Sequence, residues 1–272
     1  MKKLEVQQPN VANNKAPAPV QSKCTLRFNY APSQDGIDLN LLILLHGLGD
    51  TMQPFANLGA KLKLPQTAIL AVQAPEPVPY MEDSYQWHAT FDFLTGELLP
   101  PANPDRMKTL MRTRKLMSEL LHHLIDHSSF KPPNIYFFGF SQGGTVALDT
   151  VLFGDIRNLG GVVSISGYLL EEQRSDKPVG EGYPGYILIT QGEKDPAIGK
   201  PEIAKKKYQV VQRLCSSSAQ TSQVFIKNKG HTMPSSEGEW RVIHTFFSDH
   251  MARRNIQLEN MSDVYLVNSS SS

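Results

Sequence analysis

Seven short runs rich in strand-forming residues, at 25–30, 39–45, 68–72, 135–140, 162–166, 186–190 and 223–227, alternate along the chain with amphipathic stretches. This alternation limits the fold more than any other feature. Strands separated by helix-length segments build βαβ units and a mostly parallel sheet. Several runs are apolar at every position, among them Leu-Leu-Ile-Leu-Leu at 41–45 and Ala-Ile-Leu-Ala-Val at 68–72. A strand with one face in water alternates polar and apolar residues, whereas an unbroken apolar run fits a central strand covered on both faces. The expectation is an α/β fold with a mostly parallel central sheet flanked by helices on both faces.

Met107, Leu110, Met111, Met117, Leu120, Leu121, Leu124 and Ile125 recur at three- and four-residue spacings, which predicts a helix over 105–127 with a Met and Leu stripe in the core. A shorter helix is expected over 144–152. A last one starts near Ser236, where Ser-Glu-Gly-Glu supplies a capping box ahead of Trp240, Ile243 and Phe247. The chain of 272 residues has no linker-like stretch in its middle, so one domain is expected over 23–255. Residues 1–22, rich in Asn, Gln, Pro, Lys and Ala, read as a flexible segment, and 256–272, ending in four serines, as a tail. Residues 74–104 hold six prolines together with Tyr80, Tyr85, Trp87, Phe91 and Phe93, and follow neither period. So long an irregular stretch is either a lid or substrate loop, or a packed surface loop whose aromatics fill a satellite core.

Composition excludes several functions. The 27 basic residues nearly balance the 26 acidic ones, so nothing favours nucleic acid or an anionic membrane. Cys24 and Cys215 are too few for a disulfide framework and lack metal-site spacing, which suits a reducing compartment. Met-Lys-Lys is followed by Leu-Glu-Val-Gln-Gln instead of an apolar stretch, so no secretory signal is read and a cytoplasmic protein is expected. No apolar run approaches the roughly 20 residues that span a bilayer, so no integral membrane segment is expected.

The chemistry centres on Gly139-Phe140-Ser141-Gln142-Gly143, which matches G-x-S-x-G with a strand before it and a helical stretch after it. In that context the chain turns so sharply that small residues must flank the serine, whose hydroxyl projects at a helix N-terminus. A serine hydroxyl needs a base to take its proton, and the usual base is a histidine oriented by a carboxylate. His231, His244 and His250 follow Ser141, and the last two fall inside the final helix. His231 stands in a loop between a strand and a capped helix, where it can swing over the edge of the sheet. The acid is sought at the end of the run at 186–190, where Asp195 lies 54 residues after the serine and Glu193 is its local rival. An oxyanion hole takes two backbone N–H groups, the first from the residue after the nucleophile, Gln142. The second fits Leu48 in His-Gly-Leu-Gly-Asp at 46–50, after the early strand; that segment lacks the lysine and third glycine of phosphate-binding loops. His46 is read as orienting its turn, and His122, His123 and His127 as a polar helix face with no metal.

In this order the motifs resemble the acyl-protein thioesterase and small carboxylesterase group of α/β-hydrolases, the phospholipase/carboxylesterase family. LLILLHGLGDT is similar to its oxyanion segment, GFSQGG to its nucleophile elbow, SISGYL at 164–169 to the following strand and turn, QGEKDP to its acid loop and KGHTMPSSE to its histidine loop. The resemblance implies the α/β-hydrolase fold and cleavage of thioesters or carboxylic esters by Ser141, His231 and Asp195, with Leu48 and Gln142 donating amides and no cofactor. It also selects Asp195 over Glu193. QWHATFDF resembles the family's Trp-Phe-Asp element but carries residues inserted after Trp87, so Trp87 and Phe91 are candidate substrate contacts. The implied substrate is an acylated protein or a small acyl ester. The alternatives are a small-molecule carboxylesterase or lysophospholipase and, outside enzymes, a catalytically silent binding module on the same fold.

Overall fold

Residues 40–45 are buried at all six positions, and the apolar side chains at 41–45 enter two cores in turn. Leu41, Ile43 and Leu45 join one apolar cluster, and Leu42 and Leu44 join a second on the opposite face of the sheet. This is the two-sided burial that an unbroken apolar strand requires. The computed structural model describes residues 5–7, 15–170, 181–255 and 266–268. In chain order the elements are β1 (Glu5–Gln7), β2 (Phe28–Ala31), β3 (Asn40–Leu45), α1 (Met52–Leu62), β4 (Thr67–Val72), β5 (Glu76–Pro77), β6 (Tyr85–Gln86), α2 (Pro104–Asp126), β7 (Ile135–Phe140), α3 (Gln142–Phe153), β8 (Gly161–Ile165), β9 (Tyr186–Gly192), α4 (Pro201–Arg213), β10 (Gln220–Ile226), α5 (Glu237–His250) and β11 (Leu266–Asn268).

Seven strands form the central sheet in the order β10-β9-β8-β7-β3-β4-β2. All neighbours are parallel except β2, which runs antiparallel to β4 at one edge. Buried residues of α2 and α3, with Val211 of α4, cover one face; Phe55 and Leu62 of α1 and Ile243, Phe246 and Phe247 of α5 cover the other. The Asn103 side chain caps α2 by accepting from the Asp105 amide at 2.8 Å, and Pro104 takes the first helical position, where its missing N–H costs nothing. Asn40, the polar residue that opens β3, is fully buried but not wasted. Its side chain exchanges hydrogen bonds of 2.9 and 3.1 Å with the backbone of Ala252, tying the start of the strand to the chain beyond α5.

Two regions differ from the sequence reading. Composition assigns 1–22 to a flexible segment, yet Val20 N–H donates to His123 Nε2 at 3.0 Å, and the Gln21 side chain bonds the Leu26 carbonyl and the Phe28 amide, each at 3.0 Å. A single polar side chain closing a turn leaves no compositional trace. β1 and β11 also pair, antiparallel, with Glu5 opposite Asn268; of the expected tails, 1–4, 8–14, 256–265 and 269–272 lie outside the described residues. The other is α1, which is not among the helices expected from the sequence. Pro54 falls in its first turn, where proline is tolerated, and burial of Phe55 and Leu62 supplies what propensity lacks.

Phe247 is 1% exposed and meets Tyr136 edge-on at 6.5 Å. Phe247→Ala should destabilise the fold by about 3–5 kcal/mol, read as a lower denaturation midpoint at unchanged slope. A loss under about 1 kcal/mol would mean that α5 does not anchor this face.

Candidate active site

The parallel strands β3, β7, β9 and β10 all deliver their C-terminal ends to one edge of the sheet, and each is followed by a segment that the motifs singled out. That edge is where α/β sheets hold their ligands. Ser141 follows β7 and serves as the N-cap of α3 with φ 52° and ψ −117°, a conformation that costs a non-glycine residue about 1–3 kcal/mol. Its own amide donates to the Ile165 carbonyl at 2.8 Å and its carbonyl accepts from Thr145 at 3.0 Å, which holds the strained turn from both sides. The turn needs glycine at two positions for space alone. A Cβ on Gly139 would overlap the backbone of Gly143, and one on Gly143 would overlap the carbonyls of Leu45 and His46.

The structure brings Ser141, His231 and Asp195 together. His231 Nε2 lies 2.9 Å from Ser141 Oγ, and its Nδ1 lies 3.0 and 2.9 Å from the two carboxylate oxygens of Asp195. With Nδ1–H donating to a carboxylate, Nε2 is left with a lone pair toward the hydroxyl. The Asp195 side chain is fully buried, and its Oδ1 also accepts from the amides of Ala197 at 2.9 Å and Ile198 at 3.3 Å. Three donors satisfy a carboxylate that water does not reach. Glu193, two residues earlier, is exposed. His244 and His250 stay on α5, the latter stacked on Tyr186 at 3.8 Å.

Leu48 and Gln142 stand at the ends of β3 and β7, and their amides have no hydrogen-bond partner among the described residues. The turn that carries Leu48 is set by His46, which is wholly buried. His46 Nε2 accepts from the Ala74 amide at 3.0 Å, so its proton sits on Nδ1, which donates to the Gly47 carbonyl at 2.7 Å. Burial lowers its pKa against the opposing pull of that carbonyl and of Asp50, which keeps the ring neutral.

Trp87 is a correction. Expected as a substrate contact, its side chain has no exposed surface; its indole N–H donates to the His46 carbonyl at 2.7 Å and its backbone N–H to Gln142 Oε1 at 2.8 Å. It is a strut between the two segments that carry the candidate oxyanion amides. Gln142 completes the tie by donating from Nε2 to Thr90 Oγ1 at 2.5 Å and to the His88 carbonyl at 3.3 Å. Burial drops His88 to about 4, with Arg106 adding and the Ala89 carbonyl opposing, so it is neutral too. Phe91 is half-buried and lines a groove with Pro77, Pro79, Gln86, Phe93 and Arg112 of α2. His122, His123 and His127 lie on α2, where His122 pairs with Asp155 at 2.7 Å and the other two stack at 4.9 Å.

Glu239 is a residue that sequence reasoning met only as half of a capping box. Besides closing that box with Ser236, it pairs with Lys229 at 2.7 Å, and the Lys229 ammonium donates to the Met233 carbonyl at 2.8 Å. The loop that carries His231 is thereby pinned to α5. Burial alone would raise the Glu239 carboxyl, but Lys229, Ser236 and the amides of Ser235 and Ser236 outweigh it and bring it to about 2.

The family model described as phospholipase/carboxylesterase matches residues 33–250. An uncharacterized hydrolase of Mycosarcoma maydis is 42% identical over 146 residues, which are 52% of this chain and 53% of that one, so the chain spans about half the length of the curated relative it matches. Among solved structures, the Bacillus cereus carboxylesterase superposes with a TM-score of 0.64 at 19% identity over 84% of this chain and 96% of that one. Acyl-protein thioesterase 2 of Zea mays does so at 0.58 and 18%, over 82% and 98%. The fold is that of the α/β-hydrolases. Within it, the chain belongs to the phospholipase/carboxylesterase family.

Two outcomes follow from the bracing residues. Gln142→Leu should leave the Trp87 amide unpaired, cost about 1–3 kcal/mol and speed proteolytic cutting within 74–104; unchanged proteolysis would show that the strut is idle. Because the Glu239 carboxyl is depressed in the folded state, its contribution is complete above the ordinary value of 4.5 and is lost as pH falls toward about 2. Glu239→Gln should therefore be about 1–3 kcal/mol less stable near pH 7 and approach the parent in acid, as measured by urea unfolding across that window. An equal deficit at every pH would refute this.

Proposed function

We propose that the protein is a serine hydrolase of carboxylic esters and thioesters, with Ser141 as nucleophile, His231 as general base and Asp195 as the carboxylate that orients it. The observation that carries this reading is the continuous hydrogen-bonded chain from Asp195 through His231 to a serine on a strained turn. His231 Nε2 takes the hydroxyl proton as Oγ attacks the acyl carbon; Asp195 stabilises the imidazolium; the amides of Leu48 and Gln142 receive the oxyanion. The leaving thiol or alcohol takes the proton from His231, and water, activated by the same histidine, releases the acid. The chemistry asks for no cofactor.

Among ester substrates the thioester of an acylated protein is favoured over a small carboxylic ester or a lysophospholipid, supported by the resemblance of the sequence motifs to the acyl-protein thioesterase group. The free thiols of Cys24 and Cys215 support a reducing, cytoplasmic setting. No described helix is long and apolar enough to cross a membrane.

Ser141→Ala should lower kcat on thioesters and oxygen esters by a factor on the order of 10⁴ and abolish labelling by a fluorophosphonate. Labelling that persists in the variant, or is missing from the folded parent, rejects the triad and revives the silent binding module. A chain-length series comparing thioesters with oxygen esters tests the substrate: a preference confined to short oxygen esters rejects the thioesterase reading.

A further inference from the structure

The insertion between β4 and α2 has a charge pattern unlike the rest of the chain. Residues 64–105 contain no lysine or arginine and six acids, Glu76, Glu82, Asp83, Asp92, Glu97 and Asp105, while the other 230 residues hold 27 basic and 20 acidic side chains. The same stretch exposes Tyr80, Met81, Phe93, Leu94 and Leu98 at between 54% and 80% of their surface. Contacts bring the parts of this stretch around Tyr80 and around Leu94 together. The Tyr80 hydroxyl donates to the Leu94 carbonyl at 2.5 Å, the Tyr80 ring packs over Gly96, and Phe91 pairs with Leu98 across an antiparallel bridge. Of the acids around it, Glu76 is neutralised by Arg112 at 2.8 Å. Glu82, Asp83 and Glu97 are exposed and, among the described residues, without an ion-pair partner. Asp92 stays ionised, its pKa lowered by the amides of Thr95 and Leu94.

A contiguous apolar patch of exposed aromatic and aliphatic side chains marks an interaction site. Its acidic surround selects the partner. An anionic bilayer would be repelled, and an uncharged apolar surface would strip water from four carboxylates without replacing it. A polypeptide carrying Lys or Arg beside apolar side chains answers both demands. We propose that the 76–98 surface docks a cationic, apolar-bearing segment of the acylated protein substrate, an inference that rests on the acyl-hydrolase reading above. The route to the chemistry is short. Trp87, His88 and Thr90, in the same stretch, bond the side chain of Gln142, the residue after Ser141, so the stretch that carries this surface is tied to the turn that carries the nucleophile.

The test uses three peptides of equal length, each with one S-octanoyl cysteine flanked by lysine, glutamate or serine. At low ionic strength kcat/KM for the lysine peptide should exceed that for the glutamate peptide by about tenfold or more, and the gap should close as salt approaches about 0.5 M. The triple variant Glu82→Lys, Asp83→Lys, Glu97→Lys should reverse the order and leave hydrolysis of p-nitrophenyl butyrate unchanged. Phe93→Ser with Leu94→Ser should weaken the lysine peptide by about tenfold and spare the small ester equally. A second arm needs no turnover: the lysine peptide without its acyl group should bind the Ser141→Ala protein in fluorescence anisotropy. Equal kcat/KM for the three peptides, or no anisotropy change, overturns the proposal. So does capture of the protein by phosphatidylcholine vesicles through Phe93 and Leu94 in place of peptide binding, which would assign the patch to a membrane. Peptide binding that survives while no ester is hydrolysed would leave the docking surface standing and strike the enzymatic reading instead.

Discussion

The first turn of α3 lies directly against the backbone at the end of β3, and the candidate site depends on that close approach. Gly143 has no side chain, so the helix can settle onto the carbonyls of Leu45 and His46. Only then does the chain before it have to bend through the strained conformation at Ser141, with the hydroxyl facing out and the helix N-terminus facing the same space. The strain persists because neighbouring strands over-determine it: Ile165 of β8 holds the serine amide, and Thr145 of α3 holds its carbonyl. Gly47 contributes in the same way, since a Cβ there would press into the Phe140 ring. Small residues at these points are a packing requirement before they are a chemical one.

The insertion at 74–104 has two parts with different physics. Its inner part, around Trp87, is core: the indole is sealed from water and bonded to the His46 carbonyl, the Trp87 carbonyl accepts from Thr113 at 2.6 Å, and the Ala89 amide donates to Thr109 at 2.8 Å. The Gly49 amide adds a bond to the Tyr85 carbonyl at 2.8 Å, which fastens the turn bearing Leu48 to the same segment. The outer part, from Tyr80 to Met81 and from Phe93 to Leu98, is exposed and acidic. Of the two readings that the prolines and aromatics left open, the packed satellite core describes the inner portion. The inner portion is packed, and the outer portion stands in solvent.

Two neutral buried histidines and one partly exposed histidine divide the polar work. His46 and His88 are uncharged because burial disfavours the imidazolium, so they act as fixed hydrogen-bonding rings. His231 keeps 24% of its side chain exposed and rests against the Phe140 ring at 5.1 Å, with a buried carboxylate behind it. Its loop is held from the far side by Lys229 and Glu239, so the imidazole is positioned by an ion pair that never touches it.

The linear chain carried its local and periodic information openly. Unbroken apolar runs declared strands with two covered faces; the Met and Leu stripe declared α2; glycines crowded around Ser141 between a strand and a helix declared a tight turn. Those features are legible because they follow from side-chain chemistry at neighbouring positions. What stayed hidden depends on residues brought together from far apart. Burial of Trp87 follows from its bonds to positions 41 and 55 residues away, and the Gln21 turn and the Asn40 tie to Ala252 are single side chains whose partners no pattern names. Order in the chain could line up a serine, an acid and a histidine. Distances of 2.9 and 3.0 Å between atoms 90 and 36 residues apart needed the sheet, because only packed parallel strands ending at one edge hold three loops to within a hydrogen bond.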